Sequence, residues 1–460
     1  MSTESNEMAG GEKKAVASDE SQTTLENGQQ TNPDLESAPP APAQPQAGPP
    51  PAPNGGITAW LQVLGAFMIF FNSWGILNTF GVYQTYYESG QLFTTSSSNI
   101  SWIGSIQAYL VLLGGLIAGP FYDKGYIKTL LTLGGFGVVF GHMMLSLVHT
   151  YWQALLAQGF VSHALTELVC IGLGAGAMFV PAISVLPGYF NTKLGLAMGL
   201  AASGSSFGGI IYPIAFYRLV NQIGFGWSVR VLGFIALATM MIPIFFMKIR
   251  VKPPGARARF DTTIFTDIPF LIYIFGSMLG FIGLYVMLFY LSYFSAQQGI
   301  TDSSLSFYLV AILNAASMFG RTLPNALSDK TGPLNLVIPG AFVCGILNLV
   351  MLKVHTVGGV IVVALAFGFF SGVFIALPPV LFIALTKDKS KIGSRMGLGF
   401  ALSGLGTLAG GPGSGGILGM GDNPDWRSLW IYGGVCSLAG GVIFIGLRIQ
   451  QAGLKLAVKV

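Results

Sequence analysis

The sequence predicts an all-α membrane protein in which twelve transmembrane helices form two pseudo-symmetric six-helix bundles. Three observations carry that expectation. Only 9% of the 460 residues are charged and 52% are hydrophobic, whereas an ordinary soluble domain carries about 25% charged residues. Apolar runs long enough to cross about 30 Å of hydrocarbon recur from residue 57 almost to the C-terminus. Basic residues collect in alternate connections between those runs, as orientation in a membrane requires.

The runs fall at 57–82, 100–121, 127–148, 152–187, 194–217, 225–247, 264–292, 305–327, 335–354, 358–385, 395–419 and 428–447. Ahead of them, residues 1–54 are polar and proline-rich and read as a disordered cytoplasmic tail. That tail is either a plain solvated extension or a regulatory segment, and no signal peptide is visible in it. Residues 55–247 then make an N-terminal bundle, 248–263 a basic cytoplasmic linker, 264–448 a C-terminal bundle and 449–460 a cytoplasmic C-terminal tail. With the N-terminus inside, 18 of the 23 Lys and Arg residues fall in inner segments and only Arg218, Arg230, Lys353 and Arg427 in outer ones. The expected location is the plasma membrane, as a monomer in the lipid bilayer.

Charge and cysteine usage exclude several classes. Eight of the 18 acidic residues lie between Glu4 and Glu36, so the body of the chain is basic. Its basic residues sit in short loops without interleaved aromatics, which argues against a nucleic-acid partner. Cys170, Cys344 and Cys436 all lie within apolar runs, so neither a disulfide framework nor a metal site is expected. Nor is any cofactor.

The two halves repeat one another. Gly119 to Gly125 (GPFYDKG) follows the second run and Leu327 to Gly332 (LSDKTG) the eighth. Leu196 to Leu200 (LAMGL) opens the fifth run and Ser394 to Leu398 (SRMGL) the eleventh. Parallel six-helix repeats are a mark of secondary carriers. Asp123 and Met198 are 75 residues apart but Asp329 and Met396 only 67, which points to an extra segment near 161–169. His163 and Glu167 lie in it, four residues apart; they either relay protons or belong to an extended helix end without such a role. The loops Asp123, Lys124, Gly125 and Asp329, Lys330 are candidate conformational gates, since an Asp and a basic residue at a helix end can bond to a neighbouring helix terminus.

Arg321 is the foremost binding candidate. A charge inside a span costs several kcal/mol by insertion scales, about 2.5–3.5, so it normally faces a cavity. Its guanidinium fork matches a carboxylate. The other reading is an arginine that snorkels to lipid headgroups or pairs with Asp329. Glycines 172, 174 and 176 follow no strand and read as close helix packing. Gly411 to Gly416 (GPGSGG) suggests a bend in the eleventh span. Asn99 begins a glycosylation sequon in an outer loop.

The loops, the linker and the twelve spans resemble the major facilitator superfamily, and more closely its fungal monocarboxylate-transporter-like branch. The residues that carry the resemblance are Ser97 to Gln107 (SSNISWIGSIQ), Gly119 to Gly125, Phe179 to Pro181 (FVP), Ala197 to Ser206 (AMGLAASGSS), Phe319 to Arg321 (FGR) and Ala452 to Lys459 (AGLKLAVK). The resemblance implies an arginine eight residues before the loop acid in the eighth span, which Arg321 matches against Asp329. It also implies pathway-lining polar residues, here Asn72, Asn78, Tyr285, Tyr290 and Asn314, each of which reads alternatively as a packing or interhelical hydrogen bond; Ser317, one turn before Arg321, is a further binding candidate. Two departures stand out: Ser317 replaces an acidic residue, and no lysine occurs from Ile57 to Phe93. The function expected is secondary active transport of a small monocarboxylate or weakly acidic metabolite by alternating access, coupled to protons as the resemblance implies. The alternatives are efflux of a fungal secondary metabolite and a non-transporting nutrient sensor. No P-loop, His-Glu-x-x-His or paired catalytic carboxylates support an ATPase or an enzyme.

Overall fold

A chain that crosses hydrocarbon must satisfy its backbone N–H and C=O groups within itself, and continuous helix does so. The computed structural model describes residues 52–158, 171–250, 262–387, 392–419 and 424–453. Most of the 1–54 tail, the extra segment with His163 and Glu167, most of the 248–263 linker and the end of the C-terminal tail lie outside the described residues. Pro51–Val460 is one compact unit.

The first crossing is built from α1 (Ile57–Asn72), α2 (Trp74–Asn78) and α3 (Phe80–Glu88). It runs beyond the expected end at residue 82, because Tyr83, Gln84 and Tyr87 are buried against protein and need not be apolar. α4 (Ser97–Asp123) and α5 (Ile127–Leu145) are the second and third crossings, and α6 (Tyr151–Gln158) and α7 (Ile171–Val185) belong to the fourth. α8 (Leu194–Phe246) holds the fifth and sixth in one run of 53 residues, divided at Gly224 with φ 72°. The second half follows with α9 (Ile268–Gln297), α10 (Ser303–Thr331), α11 (Leu334–Val350), α12 (Val357–Ala376), α13 (Pro378–Leu385), α14 (Ile392–Ser403), α15 (Leu405–Leu418) and α16 (Trp426–Ala452). α12 with α13 and α14 with α15 are the tenth and eleventh crossings, which completes twelve.

Helix ends follow ordinary capping chemistry. Ser96 accepts from Asn99 N, Asp302 from Leu305 N, Thr356 from Gly359 N and Asp425 from Ser428 N, all at 3.0–3.2 Å. The eleventh crossing breaks at Gly404, and helix runs unbroken through Gly411 to Gly416. Those glycines instead let α15 close on α4 and α9: a Cβ on Gly415 would lie 2.6 Å from Ser98 Cα, and one on Gly411 2.2 Å from Ser105 Oγ.

Glycine packing expresses the repeat in three dimensions. A Cβ on Gly204 or Gly208 of α8 would lie 2.1 or 2.5 Å from the carbonyl oxygens of Phe67 or Phe71. In the second half, Gly406 and Gly410 of α15 stand in the same way 2.1 and 2.9 Å from those of Met278 and Ile282. Gly172 and Gly176 meet the carbonyls of Gln107 and Leu110, while Gly368 and Gly372 meet those of Leu313 and Ser317. Each pair is four residues apart, one helical turn, so one stripe per helix sets each crossing.

Gly368→Val would drive two methyl groups into the Leu313 backbone, and overpacking of this kind costs about 1–3 kcal/mol. G368V is expected to lower the melting temperature in detergent. Gly446→Ala, at a position where a Cβ meets nothing within 4 Å, is expected to melt as wild type.

Candidate functional site

α10 places Arg321 midway between the two halves. Ser317 stands one turn earlier on the same face, and its Oγ accepts from Arg321 Nε at 3.2 Å. From the other half, Ser205 Oγ on α8 accepts from Nη1. The approach is close because the crossing positions are small: a Cβ on Gly199 would sit 2.8 Å from the Arg321 carbonyl oxygen, and one on Gly372 2.9 Å from Ser317 Oγ. Arg321 is only 1% exposed. A guanidinium has five N–H donors, and the two bonds it makes both go to neutral hydroxyls.

Arg321 lines a cavity whose wall is otherwise aliphatic side chains and five aromatic rings: Phe70, Trp74 and Phe179 from the first half, Phe281 and Phe400 from the second. Phe179 meets Phe400 edge-on at 5.3 Å between centroids and closes one side. The space left is about 20 Å³, room for one or two waters. Tyr285 is buried and is not among the residues that line this cavity. The indole Nε1 of Trp74 is buried without a hydrogen-bond partner.

The other expected residues lie elsewhere along the contact between halves. Asn78 on α2 donates to Asn314 Oδ1 on α10 at 3.0 Å, and Asn314 donates to Val310 O. They pair with each other rather than line the cavity. Asn72 bonds to Thr239 and Tyr212 within the first half. Tyr290 sits nearer the end of the bundle opposite Asn54, where its hydroxyl bonds to Ser101. Ser101 also donates to Gln84 Oε1 at 3.4 Å, Gln84 donates to Glu88 Oε1 at 2.7 Å, and Ser97 donates to Glu88 Oε2 at 3.0 Å. A polar chain thus joins α3 and α4 to α9, with Ser98 donating to Pro412 O at 3.1 Å beside it. Asn99 is exposed in the first turn of α4, with Nδ2 donating to Thr95 Oγ1.

At the end that carries Asn54, each repeated loop turns on a glycine with φ 90°, Gly125 and Gly332. A Cβ on Gly195 would lie 2.6 Å from Asp329 Oδ2, so that carboxylate abuts the start of α8. Lys124 and Lys330 are exposed; the Asp123 side chain lies outside the described set. Asn54 Oδ1 accepts from Asn191 N and Thr192 N at 2.6 and 2.9 Å, tying the start of the first crossing to the α7–α8 connection. In that connection Tyr189 donates to Lys248 O at 3.1 Å, and burial holds its phenol above the usual value, so it stays a neutral donor.

Three residues escaped the sequence reading. Glu88 followed the end of an apolar run, although its four-residue spacing from Gln84 within helix was a usable signal. Ser205 was hidden in a run of small residues. Trp74 carried no signal apart from being aromatic.

Two matched helical halves that enclose a charged, water-poor cavity and touch at both ends define a membrane transporter in a closed conformation. The chain belongs to the major facilitator superfamily, whose profile matches residues 62–377. It is 58% identical over 390 residues to the MFS-type transporter dbaD of Emericella nidulans, covering 85% of this chain and 86% of that one. It is 37% identical over 430 residues to the MFS transporter asaE of Aspergillus flavus, covering 93% and 94%. The aspyridones efflux protein apdF of Emericella nidulans is 33% identical over 400 residues, covering 86% and 79%.

Asn78→Ala leaves the buried Asn314 carbonyl without its donor, at a cost of about 1–3 kcal/mol. Thermal melts of N78A, N314A and the double variant are expected to be non-additive, the second substitution adding little to the first.

Proposed function

We propose that this protein is a secondary carrier for a small, weakly acidic organic solute, and that its physiological direction is export of a fungal secondary metabolite. The observation that carries the acidic solute is Arg321: a cation enclosed between the halves, bonded only to hydroxyls, with donors left for an anion. The spacing from Arg321 to Asp329 supports the monocarboxylate-porter-like branch, and Ser317 in place of an acid leaves the arginine free of a neutralising partner one turn away. The names of relatives, one of them an efflux protein for aspyridones, support export.

In this reading Arg321 holds the anion, and the Asn78–Asn314 and Tyr290–Ser101 bonds join the halves until one end opens. Asp329 and Lys330, with Asp123, Lys124 and Gly125 in the matching loop, gate the opposite end; a carboxylate at the first turn of α8 is attracted to the positive pole of that helix. The carrier acts as a monomer in the plasma membrane with both termini cytoplasmic. The 55–247 and 264–448 bundles rock about the cavity, and a proton gradient drives them. We assign proton coupling to Glu88, a carboxylate that opening of its end would release from the chain of bonds through Gln84 and Ser101.

Purified protein in proteoliposomes tests both assignments. Arg321→Lys keeps the charge but loses the fork, and a hydrogen bond to a charged group contributes about 1.5–3 kcal/mol, so flux of a transported acid is expected to fall about tenfold or more. Unchanged flux of every carboxylic acid tried removes Arg321 as the anion site. Glu88→Gln is expected to abolish accumulation driven by an imposed pH gradient while solute counterflow persists; accumulation equal to wild type removes Glu88 from coupling.

A further inference from the structure

The wall of the cavity narrows the class of solute, an inference that rests on the acidic-solute reading above. Of its lining residues only Arg321 and Trp74 carry a nitrogen or oxygen in the side chain, and both are donors. Phe70, Phe179, Phe281 and Phe400 supply rings, and Ile183, Met198, Ile375 and Pro379 supply aliphatic surface. No side-chain oxygen acceptor lines the cavity, so a sugar, an amino acid or a protonated amine would bury its own donors without partners, at a cost.

Trp74 is the informative residue. It is 4% exposed, and its Nε1 has no acceptor, whereas a buried indole N–H ordinarily finds one. Its ring meets Phe179 at 5.7 Å and 61°, and Phe179 in turn meets Phe70 at 5.7 Å and Phe400 at 5.3 Å, so α1, α2, α7 and α14 present one aromatic cluster. A further aromatic ring gains by pairing edge-to-face or offset with such rings, beyond its area burial.

We propose that the transported solute is a planar aromatic acid with a second hydrogen-bond acceptor remote from its acidic group. Once the halves part and the cavity widens beyond the roughly 20 Å³ of the closed state, Arg321 binds the acid, the Phe179 cluster packs on the ring, and the Trp74 N–H donates to the second acceptor. Trp74 is thereby a specificity-determining residue: it separates acids that carry a carbonyl or ether oxygen from acids of the same shape that lack one. Leaving the indole N–H unpaired disfavours the second group, as a site built to donate rejects a ligand that cannot accept.

Three probes of similar size isolate these terms: 4-acetylbenzoate, which has ring, acid and acceptor; 4-isopropylbenzoate, which lacks the acceptor; and 4-acetylcyclohexanecarboxylate, which lacks the aromatic ring. Flux into proteoliposomes and ligand-induced shifts in melting temperature are measured for wild type, Trp74→Phe and Arg321→Lys. Wild type is expected to favour 4-acetylbenzoate over 4-isopropylbenzoate about fivefold, the size of one neutral hydrogen bond, and over the cyclohexane acid as well. W74F, which keeps a ring and loses only the N–H donor, is expected to bring the first ratio to about one, and R321K to weaken all three probes alike. A ratio that survives in W74F, or a wild type indifferent to the acceptor or the ring, overturns the inference while leaving the acidic-solute reading in place. A wild type that neither binds nor moves any of the three overturns both.

Discussion

A guanidinium held away from water between two apolar bundles dominates the energetics of this molecule. The charge of Arg321 is costly at that depth, and two serine hydroxyls satisfy only part of its donor capacity. The residues around it are small where they must admit it, at Gly199 and Gly372, and apolar elsewhere. Low polarity penalises the isolated cation and also strengthens its attraction to an anion. In the proposed function, a solute that brings negative charge supplies the partner that Arg321 lacks, between α8 of one half and α10 of the other.

The rest of the architecture makes that contact repeatable. Within each half, glycines one turn apart lock the fifth crossing to the first and the eleventh to the seventh through backbone contacts that admit no side chain. Helices packed so closely move as bodies. Contacts between the halves combine close glycine approaches, such as Gly199 to the Arg321 carbonyl and Gly415 to Ser98 Cα, with single hydrogen bonds such as Asn78 to Asn314 and Ser98 to Pro412, and ring contacts such as Phe80 to Phe289 at 4.7 Å. Each is individually modest, so they can part at one end while the other end holds.

Much of the fold was legible because lipid imposes a simple rule on composition. Runs of apolar residues of the right length, basic residues in alternate loops and the repeated GPFYDKG and LSDKTG segments were enough to count twelve crossings in two halves. Boundaries failed where burial was against protein rather than lipid. Tyr83 to Glu88 is too polar for a lipid-facing span but forms helix because its polar groups bond to α4. The GPGSGG run lies within the continuous helix α15, and its glycines admit α4 and α9.

The site was legible only in part. Arg321 stood out as a charge in a span. Its serine partner on α8, the unpaired indole of Trp74 and the chain through Glu88 depend on contacts between crossings far apart in the chain, and no local pattern reports those. The most direct test of the central claim is a structure of the carrier opened at one end with a transported metabolite bound. The account places an anionic oxygen of that solute within hydrogen-bonding distance of the Arg321 guanidinium; a solute bound elsewhere, with Arg321 still held only by Ser205 and Ser317, would contradict it.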